Sequence, residues 1–199
     1  MEKYLMEKYG SGVPILIKDL EIPGYTKNAI RQQFHNLVKK GSLHYYGKGV
    51  YYLGDKPLMF NDVLRGKYIA DKNDVYGYWG GITLENMLGL TTQVPMKPQV
   101  VSNKASNAVR HMEWDKFRYT VIKPRTKVTR DNYRILQFLD LITDIDTFGD
   151  EASDKVIDFA IKTGLTKESI DENLKYYPLK TYKNLIDRGI YDRISSRKQ

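Results

Sequence analysis

The chain has 199 residues, enough for one large domain or two small ones, and it contains no cysteine, which excludes disulfides, thiolate metal sites and cysteine nucleophiles. Hydrophobic residues make up 41% and charged residues 28%, an ordinary balance for a sequence that buries a core. A formal net charge of +8 favours a polyanionic partner, nucleic acid before membrane.

The opening "MEKYLMEKYG" carries acids and no apolar run, unlike a signal peptide, and no stretch approaches the ~18 apolar residues of a membrane span. A cytoplasmic chain without a membrane partner is expected. Residues 1–9 read as a short amphipathic helix with Tyr4, Leu5 and Tyr9 on one side, stopped by Pro14. "ILIKDLEI" (15–22) fits a short strand or a helix, and Pro23-Gly24 is a turn. The next helix is the best defined. Thr26 is placed to cap its first turn, Tyr25 and Ile30 have the spacing of a hydrophobic staple, and Ile30, Phe34, Leu37 and Val38 form one apolar stripe. Lys39 and Lys40 sit at the negative end of the helix dipole and Gly41 at its left-handed cap. The opposite face carries Lys27, Asn28, Arg31, Gln32 and His35.

"SLHYY" and "VYYL" flank Gly47-Lys48-Gly49 and predict a hairpin. Helix, short element, helix, hairpin is the order of a winged helix, with Lys48 at the wing tip beside a basic helix whose N-terminal residues would read base edges. The alternative is a hairpin that only covers a core, with solvated lysines. Residues 1–54 hold eight Lys/Arg against four Asp/Glu, a higher charge density than the rest of the chain.

"GDKPLMF" (54–60) reads as a linker into a second domain. There, 61–70 is compatible with a helix and 75–80 with a strand or turn. "ITLENMLGL" (82–90) predicts a helix with Ile82, Met87, Leu88 and Leu90 inward. Residues 98–103, 109–114 and 117–123 read as strands, and 131–142, 150–164, 166–177 and 178–189 as helices. Gly80-Gly81 before Ile82 fits a phosphate nest or, more commonly, a turn. The expected fold class is therefore α+β: a winged helix-turn-helix over 1–54, then a mixed α/β domain over 55–199 with a helical C-terminal part.

Enzyme signatures are lacking. His111-Met112-Glu113 begins like a zinc deaminase motif that needs later cysteines. No H-E-x-x-H, P-loop or G-x-S-x-G occurs. A calcium loop from Asp144 would have Asp146 and Gly149 in place but Phe148 at position five and Lys155 at position twelve, where a bidentate Glu belongs. Asp144-Ile145-Asp146 lacks the Gly-Ser pair of a nucleotidyltransferase magnesium site and is better read as a solvated acidic turn. No metal, cofactor or catalytic residue is expected.

"GKGVYYLG" followed by "YGYWGGITLENMLGLTTQVPMKPQVVSN" resembles the AbiEi-type antitoxins of type IV toxin–antitoxin systems, linked to abortive infection. The matching residues are Gly49, Tyr51, Gly80, Gly81, Leu88, Gly89, Leu90, Thr92, Gln93 and Pro95, and the resemblance covers about residues 1–145. It implies a DNA-binding antitoxin that represses its own operon at double-stranded operator repeats through the winged helix, in which the residue pattern itself points to Thr26, Lys27, Asn28, Arg31, Gln32, His35, Lys39, Lys40 and Lys48 as the DNA contacts. It also implies a second domain opposing a nucleotidyltransferase-like toxin, with or without direct contact. The competing readings are a non-enzymatic protein- or RNA-binding partner and a plain winged-helix transcriptional regulator without a toxin.

Overall fold

In the computed structural model, which describes residues 1–147 and 152–196, the capping signals around the basic helix act as their chemistry requires. The Thr26 hydroxyl accepts the Ala29 N–H at 3.2 Å, so the helix begins at Lys27. At its far end Gly41, at φ +74°, turns the chain. Its N–H donates to Val38 O and the Ser42 N–H to Leu37 O, the paired bonds of a Schellman cap. Tyr25 stays largely exposed while Ile30 is buried.

The first compact unit, Met1–Lys67, contains α1 (Glu2–Tyr9), β1 (Ile15–Leu16) with a 3-10 turn at Ile17–Asp19, α2 (Lys27–Lys39), β2 (His44–Gly47), β3 (Val50–Tyr52) and α3 (Phe60–Leu64). The ambiguous 15–22 segment is thus a two-residue strand plus one turn. The three strands form an antiparallel sheet in the order β1-β3-β2. Leu5 of α1, Ile15, Leu20, the α2 stripe Ile30, Phe34 and Leu37, and Leu43 and Leu53 build one core. Phe34 stands edge-on to Tyr51, centroids 4.9 Å apart, and so ties α2 to β3.

The division between units falls after Lys67, later than residue 54. Residues 54–66 return to the first unit instead of leaving it as a linker. The Gly12 N–H donates to Leu53 O, the Ser11 hydroxyl fills the space where a Cβ on Gly54 would sit, and Gly66 lies against the ring of Pro14. Leu58, Val63 and Leu64 are buried.

The second unit, Tyr68–Gln199, holds β4 (Gly77–Trp79), α4 (Gly81–Met87), β5 (Gln99–Ser102), β6 (Val109–Trp114), β7 (Phe117–Ile122), α5 (Tyr133–Thr143), α6 (Ala152–Lys162), α7 (Lys167–Leu174), α8 (Leu179–Asp187) and α9 (Ile190–Ser196). Its sheet order is β4-β5-β7-β6: β7 inserts between β5 and β6, so β5 and β7 run parallel and the other pairs antiparallel. α5 buries Leu136 against Tyr78 and Val101 of the sheet and Phe138, Leu139 and Ile142 in a core shared with α6–α9. The chain is α+β, with its last third helical. α9 is a further helix beyond those read from the sequence. In α4, Met87 is 53% exposed rather than inward, and Leu84 is buried in its place, because α4 ends at Met87 and Leu88 belongs to the cap. No helix among the described residues is long and apolar enough to cross a membrane.

Candidate nucleic-acid interface

Each polar residue singled out on α2 is exposed, because the apolar stripe turns the other side of the helix onto the sheet. Lys27, Asn28, Arg31, Gln32 and His35 share that outward face, and the Arg31 guanidinium accepts its local order from Asn28, to whose Oδ1 it donates at 3.2 Å. Thr26 is also exposed, but its hydroxyl is committed to the cap. Lys39 and Lys40 lie about 18 Å along the axis from Lys27, at 1.5 Å per residue, so the predicted set divides into an N-terminal cluster and a separate C-terminal pair.

Lys48 lies at the hairpin tip. Gly47 pairs with Val50, leaving Lys48-Gly49 as a two-residue loop. Both have positive φ, +42° and +81°, the signature of a type I′ turn. Glycine at 49 is required by its conformation and by Ile17, whose Cγ2 would stand 3.1 Å from an added Cβ. The Ile17 N–H also donates to Gly49 O at 3.0 Å. Ile17, Lys18, Leu20, Lys27, Ile30 and Arg31 in turn line a groove of about 140 Å³. The loop and the N-terminal half of α2 are thus connected through Ile17. Lys18, which the sequence reading passed over, stands in this groove; it is exposed, 3.9 Å from Asp19. Its signal was a cation inside an ambiguous segment, which only strand pairing could orient. Tyr45 is exposed beside Tyr51, and His44 stacks on Tyr52, centroids 4.9 Å apart.

In the second unit, the residues that carry the antitoxin resemblance form a continuous turn–helix–turn. Gly80 is the N-cap of α4 and donates its N–H to Gln99 O at 3.1 Å. Gly81 has φ +50°, and Gln99 Oε1 occupies the place a Cβ would need. The Thr83 hydroxyl accepts the Gln99 N–H at 2.8 Å, a second tie between the start of α4 and β5. Gly89, at φ +67°, closes a second Schellman cap: it donates to Asn86 O, and Leu90 N–H donates to Glu85 O. Leu88 and Leu90 pack on the helical core. Asn86 Nδ2 reaches Gln93 O at 3.1 Å and holds the following loop, in which Gln93 and Thr92 are exposed and Pro95 half-buried. The motif's glycines, leucines and Asn86 have structural work in one helix and its two ends.

Charged groups of this unit meet on both sides of α5. Asp140 accepts the Tyr78 hydroxyl at 2.7 Å and lies 3.7 Å from Arg125, whose guanidinium stacks over Tyr177 at 5.2 Å. Burial pushes the Asp140 carboxyl up to about 6, with the Tyr78 hydrogen bond and Arg125 opposing the rise. Asp146 pairs with Lys180 at 3.1 Å and Arg188 at 3.7 Å, and its carboxyl is held below the usual range, first by the Lys180 hydrogen bond. It is exposed, as expected of a solvated acidic turn, and in addition ion-paired. Among the described residues, no three His, Asp or Glu side chains converge as metal ligands. The calcium loop read from Asp144 passes through residues 148–151, including Phe148 and Gly149, which lie outside the described residues.

No family model matches the chain, and no curated protein matches it.

Proposed function

We propose that the chain is a DNA-binding antitoxin and autoregulator of the AbiEi type, whose first unit is a winged helix and whose second unit counteracts a nucleotidyltransferase-like toxin. The observation that carries the reading is Lys48. A lysine occupies a left-handed turn position that favours Asn or Gly, at a cost on the order of 1 kcal/mol. An exposed cation kept there at the expense of hairpin stability makes sense as a phosphate contact. Ile17 connects that turn to the groove bearing Lys18, Lys27 and Arg31. On this reading the N-terminal half of α2 enters the major groove, Arg31 and Asn28 meet base edges, and Lys18, Lys48, Lys39 and Lys40 contact phosphates.

The antitoxin assignment rests on the resemblance of residues 49–95. The test is binding of the full chain to the promoter region of its own gene against random duplex, by fluorescence anisotropy at fixed salt. Preference for the promoter by tenfold or more supports a regulator. Equal affinity for both removes autoregulation from the proposal. Co-expression with an adjacent nucleotidyltransferase-like gene then tests toxin rescue.

A further inference from the structure

The second unit has a charge pattern of its own. Residues 97–134 hold ten Lys/Arg against three Asp/Glu, whereas the remainder of residues 68–199 holds eleven against fifteen. Neither 98–112 nor 116–130 contains a carboxylate. Because β5 and β7 are parallel, the connections that follow them, 103–108 and 123–132, leave the same end of the sheet. Hydrogen bonds tie the two connections together. The Lys123 N–H donates to Ala108 O at 2.9 Å, and the Asn103 side chain brackets Val128, donating to its carbonyl at 2.8 Å and accepting its N–H at 2.9 Å.

The exposed cations of these connections differ in their partners. Arg125 turns to Asp140 and Tyr177, and Arg130 donates to Asn73 O in a turn that also carries Asp71 and Asp74; both are occupied structurally. Lys123 and Lys127 alternate with half-buried Pro124 and Thr126 and buried Val128 and are exposed. No ion pair among the described residues involves either. Lys104 is exposed and is held with its ammonium 3.8 Å from the Tyr76 ring centre, which orients the charge. Arg110, register partner of Val121, donates to the Ser106 hydroxyl in the adjoining connection.

We infer that Lys104, Arg110, Lys123 and Lys127 form a second nucleic-acid surface, one that binds phosphate backbone without reading bases. Val109 is the one large apolar side chain exposed within 97–134, so the patch lacks the apolar face that inserts into a bilayer and the pocketed aromatic anchors of a protein hot spot. Clustered cations on a braced backbone are what phosphate contacts use. The inference does not depend on the α2 reading.

The test uses the full chain carrying K123A and K127A, titrated against a random duplex and a single strand of equal length over a range of KCl. Loss of two phosphate contacts should make the log–log salt slope shallower by about 1.8 on duplex and about 1.4 on single strand. The K123R/K127R variant should keep the native slope. Slopes that superimpose on the native ones overturn the inference, as does an equal fall in the arginine variant. A loss confined to phosphatidylserine vesicles would replace nucleic acid by a membrane. Arg31→Ala and Lys48→Ala run in parallel separate the two surfaces. If they change nothing while K123A/K127A does, the α2 reading fails and this surface stands; the reverse pattern removes this surface alone.

Discussion

Arg31 and Lys48 divide the labour of the proposed interface between readout and positioning. Arg31→Ala should cost roughly 1–3 kcal/mol on the promoter site and much less on random duplex. An equal loss on both would make Arg31 a phosphate contact. Lys48→Asn separates function from stability. Asn tolerates the left-handed turn better, so urea denaturation should show stability unchanged or raised by up to about 1 kcal/mol. The salt slope should at the same time fall by about one unit. A matching loss of stability would mean that the lysine serves the fold. Gly49, Gly81 and Gly89 were legible as important residues, but not for the reasons found. The contacts of Ile17 with Gly49 and Gln99 with Gly81 come from segments distant in the chain.

α2 was readable to within a residue because its signals are local: a cap, a stripe and a glycine, each acting within one or two turns. Its burial makes it the element on which the first unit depends. Phe34→Ala, which empties a fully buried site against Tyr51, should cost about 3–5 kcal/mol and unfold a unit of this size at moderate urea. A loss under about 1 kcal/mol would show that α2 does not organise the core. The pairing of α5 with β4 was not readable, since Tyr78 and Asp140 lie far apart in sequence. The Asp140 carboxyl binds its proton more tightly in the fold than its ordinary 3.8. The native state therefore holds more protons than the unfolded chain between pH 4 and 6. The stability from this group is full below about pH 4 and is lost as pH rises through about 6. Asp140→Asn keeps an acceptor for Tyr78 and removes the titration. Relative to the native chain it should gain stability from pH 4 to 6.5, by at most about 3 kcal/mol at 1.36 kcal/mol per pKa unit; the carboxyl side chain is 26% exposed, which reduces the figure. Parallel pH–stability curves would mean that Asp140 titrates normally.

At the scale of the whole molecule, the proposed activities map onto the two compact units, Met1–Lys67 and Tyr68–Gln199. The fragment 1–67 includes Leu58, Val63 and Leu64 and should fold where 1–54 would leave Pro14 and Gly12 uncovered. Once circular dichroism shows it folded, it should retain promoter preference. The fragment 68–199 should protect cells from the toxin and keep weak, salt-sensitive binding to random duplex through residues 97–134. Death of cells holding abundant, folded 68–199 would place antitoxicity in repression alone.

What the sequence determined by itself was everything that acts over a few residues. That includes the caps and apolar stripe of α2, the hairpin around Lys48, the runs that became β5–β7 and α5–α8, and the exclusion of thiol chemistry. The tertiary structure alone decided which of those residues meet. It returned residues 54–66 to the first unit and set Ile17 between hairpin and helix. It paired Arg125 with Asp140 while leaving Lys123 and Lys127 exposed and outside every ion pair among the described residues, and it gave the motif of residues 80–95 the task of closing both ends of α4. The physical reason is the range of the interactions. Capping and amphipathicity are set by neighbours one to four residues away, whereas strand order, burial of a carboxylate and the gathering of like charges depend on segments tens of residues apart, which only a closed core brings within reach.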